Sequence, residues 1–308
     1  GMPGGCPIGL RPIDLHLKAL RKMGAVITEE HGYLKCECNE FIGTDIHLDF
    51  PSVGATENIM LAAACAKGRT TITNAAREPE IQDLAIFLNI LGAKVKGAGS
   101  SVIVIDGVEK LHGGEYSVMP DRIVAQTYLI AAMITGGSVH LKNANPMHMQ
   151  AGLSVLSEMG AKLKIYDDAI TLRSSGKINN IHILKTMPYP GFPTDIQSPF
   201  MAPATVADGT SVFVENIFEN RFRHVDELIR MGADIKVEGR SAVVRGVKTL
   251  YGANVEGCEL RGGAALVLAG LVAEGTTIVG GVEFIDRGYE HIERYLTDCG
   301  AKIRRIYV

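Results

Sequence analysis

A repeat restricts this chain more than any other feature. A Gly-Ala pair that closes one amphipathic stretch and opens an alternating one begins at Gly24, Gly92, Gly160, Gly232 and Gly300, at intervals of 68, 68, 72 and 68 residues. Scattered helix caps do not keep such spacing, so the chain reads as a series of similar supersecondary units. Each glycine stands where a helix C-terminus turns left-handed, as after Leu156 to Met159. The stretch that follows, such as Ala233 to Glu238, alternates apolar and polar side chains and predicts a strand with one buried face.

A second element recurs between the pairs: a nearly all-apolar helix ended by glycine and followed by a short β-branched strand, at 59–68, 128–137, 200–209 and 266–275. A helix apolar on every side is buried on every side, whereas the Gly-Ala helices keep a polar face. Each unit of about 70 residues therefore offers one exposed helix, one buried helix and several short strands. The fold class is α/β, with inner helices packed together and sheets around them. A doubly wound dinucleotide fold does not fit, because no Gly-x-Gly-x-x-Gly follows a strand. Five Gly-Ala marks accompany only four inner helices, so the chain is expected to begin in mid-unit.

With 308 residues the chain is long enough for about two domains. Apolar residues make up 46% and charged residues 21%, and the longest clean apolar run, Ala264 to Ala273, falls short of the roughly 20 residues a membrane span needs. Membrane spanning and wholesale disorder are excluded on these grounds. The 31 basic and 34 acidic residues leave a charge of −3 with no long like-charge run, which argues against a nucleic-acid surface. Six scattered cysteines and no secretory leader point to free thiols in a reducing cytoplasm. Cys36 and Cys38, two apart on a strand, are expected to be buried rather than to hold metal, and no metal site is expected elsewhere.

Residues 3–16 carry the most chemical character. Cys6 stands among glycines and prolines, in a loop whose backbone can approach a ligand closely. Pro12 and Asp14 suit the first turn of a helix with Ile13, Leu17 and Leu20 on its apolar face. Such an N-terminus, with Arg11 beside it, can receive an anion. An ordinary exposed loop with an incidental cysteine is the alternative.

This run resembles the reactive loop of the UDP-N-acetylglucosamine enolpyruvyl transferases, or 1-carboxyvinyltransferases. The likeness extends over the whole chain, through Ser52 to Thr56, Asn74 to Glu80, Pro120 to Arg122, Phe192 to Asp195, Phe218 to Phe222, Leu260-Arg261 and Ile285 to Tyr289. It implies the family's fold, repeated units in two domains, an inside-out α/β barrel. Here the domains would be 1–119, an incomplete first domain carrying the cysteine loop, and 120–308. About one and a half units would be missing at the N-terminus.

The resemblance implies transfer of the enolpyruvyl group of phosphoenolpyruvate to the 3-hydroxyl of UDP-N-acetylglucosamine, a first step of peptidoglycan synthesis, without cofactor or metal. Cys6 becomes the acid, and the thiol alkylated by fosfomycin; Asp195 becomes the base. Arg11 and Arg261, with Cys6, would hold phosphoenolpyruvate. Arg11, Pro12, Ile13, Asp14 and Leu15 would meet uracil and ribose, Ser52, Val53 and Gly54 the diphosphate, and Asp195 and Ile217 the sugar. Phe50 replaces a lysine found in some relatives. On its residues alone, Asp195 also reads as a cap for the helix that follows it. Arg77 to Glu80 and Asp121-Arg122 read either as closure elements or as salt-linked surface turns. Two other functions remain open at this level: an inert UDP-sugar-binding fragment, with apolar surface uncovered for self-association, and a 3-phosphoshikimate 1-carboxyvinyltransferase.

Overall fold

The computed structural model describes residues 13–307, which fall into two compact units. The first unit holds 13–119 with Pro188–Pro190. It runs α1 (Asp14–Lys22), β1 (Val26–Glu30), β2 (Tyr33–Glu37), β3 (Asp45–His47), α2 (Val53–Ala64), β4 (Arg69–Thr73), α3 (Pro79–Ile90), β5 (Lys94–Lys96) and β6 (Val102–Asp106). Strands β1 and β2 form a hairpin, and the other four make a sheet in the order β3-β4-β6-β5. β3 and β4 are parallel and bracket α2; β4, β6 and β5 are mutually antiparallel. The pairing Ile72↔Ile103 places both side chains, fully buried, on the face that meets Ile59 and Met60 of α2.

The second unit holds 120–187 and 191–307. Its elements are α4 (Arg122–Ile134), β7 (Ser138–Lys142), a 3-10 turn (Pro146–Met149), α5 (Gln150–Glu158), β8 (Lys162–Ile165), β9 (Ala169–Arg173), β10 (Ile183–Lys185), a 3-10 turn (Thr194–Ile196), α6 (Gln197–Ala204), β11 (Thr210–Val214), α7 (Val225–Arg230), β12 (Asp234–Glu238), β13 (Ser241–Arg245), β14 (Asn254–Glu256), α8 (Leu260–Gly270), β15 (Ile278–Gly280), α9 (Val282–Ile285) and α10 (Ile292–Asp298). The sheets are β7-β9-β8, β10-β11-β13-β12 and β14-β15.

The order β10-β11-β13-β12 repeats β3-β4-β6-β5 strand for strand, the first pair parallel and the rest antiparallel. Helices α4, α6 and α8 pack on one another at the centre. All eight residues of α6 are buried. Side chains such as Phe200 and Met201 contribute about 1.5–3 kcal/mol each to such a core. This centre positions part of the site, because Arg122, Asp195, Glu259 and Arg261, described below, stand at the starts of these helices.

All five Gly-Ala glycines have positive φ, between 95° and 106°. Strands β1, β5, β8 and β12 follow four of them, as the alternation predicts. The fifth expectation fails: residues 301–307 form no strand. Alternation makes a strand only when a neighbour supplies the ladder bonds, and among the described residues none does. The inner helices also stop earlier than expected. α2 ends at Ala64, with Gly68 turning the chain into β4, and α6 ends at Ala204, with Gly209 turning it into β11.

Close backbone crossings recur at matching places. Gly107 N–H bonds Gly68 O and Gly246 N–H bonds Gly209 O, both at 2.9 Å. A Cβ at Gly107 or Gly246 would collide with the carbonyl oxygen of Ala66 or Ala207 respectively.

Three local expectations are corrected. The buried residues of α1 and its end are Ala19 and Met23, with Leu15 packed beside them, whereas Leu17 and Leu20 are half-buried. Spacing of four, not the 13-17-20 set, aligns with the core. Cys36 and Cys38 are exposed rather than buried, since among the described residues no layer covers that face of the β1-β2 hairpin. Arg122 is buried, not part of a surface turn, while Asp121 caps α4 by accepting from the N–H groups of Ile123 and Val124. No helix among the described residues is long and apolar enough to cross a membrane, and none of their His, Cys, Asp and Glu side chains form a group of three able to hold a metal.

Candidate active site

Cys6, Arg11 and Pro12 lie outside the described residues. The remaining candidates form two groups, one in each unit.

In the first unit, Ile13, Asp14 and Leu15 open α1, and Ser52, Val53 and Gly54 open α2. The two helices meet at His16, whose Nδ1 is 2.7 Å from Asn58 Nδ2 and whose ring packs where a Cβ on Gly54 would lie. Burial lowers the His16 pKa, with Asp14 opposing it. Ser52 is the N-cap of α2: its Oγ accepts from Ala55 N–H at 3.3 Å and its carbonyl accepts from Thr56. Helix geometry leaves the N–H groups of Val53 and Gly54 without an intrahelical acceptor, directed along the axis at the positive end of the dipole. That is an anion-binding arrangement. Phe50, just before it, is exposed.

In the second unit, Asp195 sits on the 3-10 turn that leads into α6. It does not cap that helix, whose N-cap is Ile196. Its Oδ1 instead accepts from Arg221 Nη2 at 2.9 Å. The Arg221 side chain is only 2% exposed and that of Asp195 49%. Burial would raise the Asp195 pKa, but the charges of Arg221, Arg261 and Arg122 outweigh it and hold the carboxyl below its ordinary value. The carboxylate is therefore ionised at neutral pH, half-open to solvent and ringed by guanidiniums.

Arg261 is the second residue of α8. The Glu259 carboxylate caps this helix, accepting from Arg261 N–H at 2.9 Å and from Gly262 N–H. The Arg261 guanidinium lies 5.3 Å from the centre of the Tyr289 ring, whose hydroxyl is 2.8 Å from Thr127 Oγ1. Burial raises the Tyr289 pKa against the charge of Arg261. Arg261 Nη1 and Arg221 Nε are buried with no hydrogen-bond partner among the described residues. Buried cationic donors left open are costly unless a further acceptor meets them.

Ile217 is half-buried, and its N–H is taken by Glu215 Oε1 at 2.8 Å. The structure thus gathers Arg221, Arg261 and Arg122 around Asp195 and, through Glu215, ties the Ile217 turn to the Asp195 turn. Sequence reasoning missed Arg221, Glu215, Glu259 and Tyr289. Arg221 and Tyr289 stood inside quoted motifs but drew no role, because their partners lie 26 and 162 residues away. Behind them, His224 is buried against Gly262; burial and the charge of Arg221 push its pKa down to about 3, so it is neutral.

Comparison with known proteins gives a consistent picture. The family model described as EPSP synthase (3-phosphoshikimate 1-carboxyvinyltransferase) matches residues 1–296. UDP-N-acetylglucosamine 1-carboxyvinyltransferase 2 of Caldanaerobacter subterraneus subsp. tengcongensis is 55% identical over 304 residues, 99% of this chain and 73% of that protein. The enzyme of the same name from Shouchella clausii is 53% identical over 305 residues, 99% of this chain and 71% of its own length. Among solved structures, the enolpyruvyl transferase NikO from Streptomyces tendae matches with a TM-score of 0.86 at 23% identity, over 96% of this chain and 72% of that one, a likeness of fold. An EPSP synthase from Acinetobacter baumannii matches with a TM-score of 0.72, also at 23% identity, over 96% and 72%. A relative 55% identical along almost the whole chain, and a family model spanning nearly all of it, lead to one conclusion: the chain belongs to the UDP-N-acetylglucosamine 1-carboxyvinyltransferase family.

Proposed function

We propose that the chain transfers the enolpyruvyl group of phosphoenolpyruvate to the 3-hydroxyl of UDP-N-acetylglucosamine and releases phosphate, in the cytoplasm, at the entry to peptidoglycan synthesis. The observation that carries the chemistry is the Asp195 carboxylate, held ionised and half-exposed beside the guanidiniums of buried Arg221 and half-buried Arg261, each with a buried open donor. A phosphate or carboxylate suits those donors, since guanidinium forks match such anions. The nucleotide diphosphate would lie at the N-terminus of α2, on the amides of Val53 and Gly54, with Ser52 beside them. Ile13, Asp14 and Leu15, with Arg11 and Pro12, would meet uracil and ribose, and Ile217 the sugar.

In the addition step, Asp195 takes the proton from the sugar 3-hydroxyl as its oxygen bonds C2 of phosphoenolpyruvate, and Cys6 gives its thiol proton to the methylene C3. The methyl of the tetrahedral intermediate then returns a proton to the Cys6 thiolate as the double bond re-forms, and phosphate leaves with the proton that Asp195 had taken. Arg11 and Arg261 stabilise the anion throughout.

Phosphate release and product mass, measured with UDP-N-acetylglucosamine and with 3-phosphoshikimate as acceptors, test this reading. Enolpyruvyl-UDP-N-acetylglucosamine is the expected product, and Asp195→Asn is expected to lower its formation by about 10²-fold or more while leaving UDP-sugar binding within a few-fold. Product from 3-phosphoshikimate alone would assign the other acceptor. UDP-sugar binding without turnover would leave the chain a binding protein.

A further inference from the structure

Glu215, just past the end of β11, is buried and yet carries a carboxylate. Four neutral donors surround it. Oε1 accepts from Thr186 Oγ1 at 2.9 Å, Ile217 N at 2.8 Å and Phe218 N at 3.1 Å, and Oε2 accepts from Thr194 Oγ1 at 2.9 Å. Both oxygens of the carboxylate are thereby engaged, Oε1 by three donors and Oε2 by one. An apolar residue would fill the same place at less cost if filling space were all that was required.

The donors lead to one place. Thr194 is the covalent neighbour of Asp195, and the Phe218 ring lies 5.8 Å from the Arg221 guanidinium that bonds Asp195. A closed circuit results, from Glu215 through Thr194 to Asp195, across to Arg221, and back through Phe218. Both halves of the Asp195–Arg221 pair, and the Ile217 backbone, are thereby referred to a single buried carboxylate.

We propose that Glu215 is a positioning residue that fixes the Asp195 carboxylate against Arg221 and sets the Ile217 turn in register with it. Without Glu215, the 3-10 turn of Asp195 loses the Thr194 side-chain tether, and a displacement of about 1 Å suffices to lower a rate about 10²-fold. The inference rests on the role given to Asp195 above.

The test compares the full chain with Glu215→Gln, Thr194→Val, Thr194→Ser and Thr186→Val. Thr194→Val and Thr186→Val each remove one donor from Glu215, but only the first is joined to Asp195. The primary readout needs no turnover: the titration of Asp195 in protein labelled with [13Cγ]aspartate, assigned with Asp195→Asn. Glu215→Gln and Thr194→Val are expected to raise the Asp195 titration by about one pH unit, as its pairing with Arg221 loosens. Thr194→Ser and Thr186→Val are expected to keep it in place, although Thr186→Val, which also takes the acceptor from Asn216 N–H, melts at least as early as Thr194→Val. In turnover, Thr194→Val is expected to lose about tenfold in kcat with little change in KM. An unmoved Asp195 titration in both Glu215→Gln and Thr194→Val, or an equal movement in Thr186→Val, overturns the proposal and leaves Glu215 a structural group. Wild-type turnover by Asp195→Asn would instead remove the role of Asp195 while the titration result stands.

Discussion

Replacing Gly262 by alanine probes how tightly the start of α8 is held beside the arginines. The new Cβ would lie 2.5 Å from Glu259 Oε1 and 2.8 Å from His224 Cβ. Neither neighbour yields easily, since Glu259 caps the helix and His224 is buried. Overpacking of this kind costs about 1–3 kcal/mol. A displaced cap adds about 1 kcal/mol, and the better helix propensity of alanine returns about the same. The net expectation is a loss of about 1–3 kcal/mol, at about 2–4 °C in Tm for each kcal/mol. The chain has no tryptophan, so circular dichroism during heating and urea unfolding is the direct assay. Gly270→Ala, at the far end of the same helix, is the control: its Cβ would find Thr277 no closer than 3.3 Å, and stability should stay within about 0.5 kcal/mol of wild type. Because Glu259 also holds Arg261 N–H, Gly262→Ala should weaken phosphoenolpyruvate binding as well. A Gly262→Ala protein as stable as wild type would refute this account of the helix start.

Arg221→Met removes the cation nearest Asp195, so the acidic limb of kcat/KM is expected to move to higher pH and kcat to fall about tenfold; a limb that stays in place would detach Arg221 from Asp195. The depressed pKa of His224 makes stability pH-dependent: the contribution is complete above the unfolded value of 6.5 and is lost as pH falls toward about 3, at up to about 1.4 kcal/mol per pH unit. Urea midpoints from pH 7 to 4.5 should therefore decline, and His224→Leu should flatten the decline; an identical slope in the variant would contradict the burial argument. Fosfomycin should add its mass to Cys6 and to no other thiol, and Cys6→Asp should prevent both the adduct and any inhibition, as intact-protein mass spectrometry would record. Ile86 and Ile90, exposed four residues apart on α3, should promote self-association, with Ile86→Glu/Ile90→Glu shifting light-scattering mass toward monomer; a wild-type chain monomeric at all concentrations would dismiss this face.

Much of the fold was legible because its markers are local. A glycine that must turn left-handed announces itself at Gly24, Gly92, Gly160, Gly232 and Gly300 without reference to the rest of the molecule. The all-apolar stretches likewise declared α4, α6 and α8 buried. Elements that depend on a distant partner were misread. Among the described residues, 301–307 alternate like the other strands but lack a ladder, and Cys36 and Cys38 lack a covering layer. The face of α1 was misjudged because Ala19, small enough to let α2 approach, looks less like core than Leu17 or Leu20. At the site, resemblance singled out Asp195 and Arg261. The residues that hold them were invisible, since a glutamate after a β-strand is ordinarily exposed and only tertiary closure turns Glu215 and Glu259 inward.

Any missense change in a glycine codon adds at least a Cβ, and at Gly107 and Gly246 that atom meets a carbonyl oxygen that cannot withdraw. Neither codon has a neutral amino-acid neighbour, so both should be depleted alike in a library of random variants. The chain carries this experiment in duplicate: selection at one crossing forecasts selection at the other, and a discrepancy between them would measure how far two copies of one design have drifted in the load they bear.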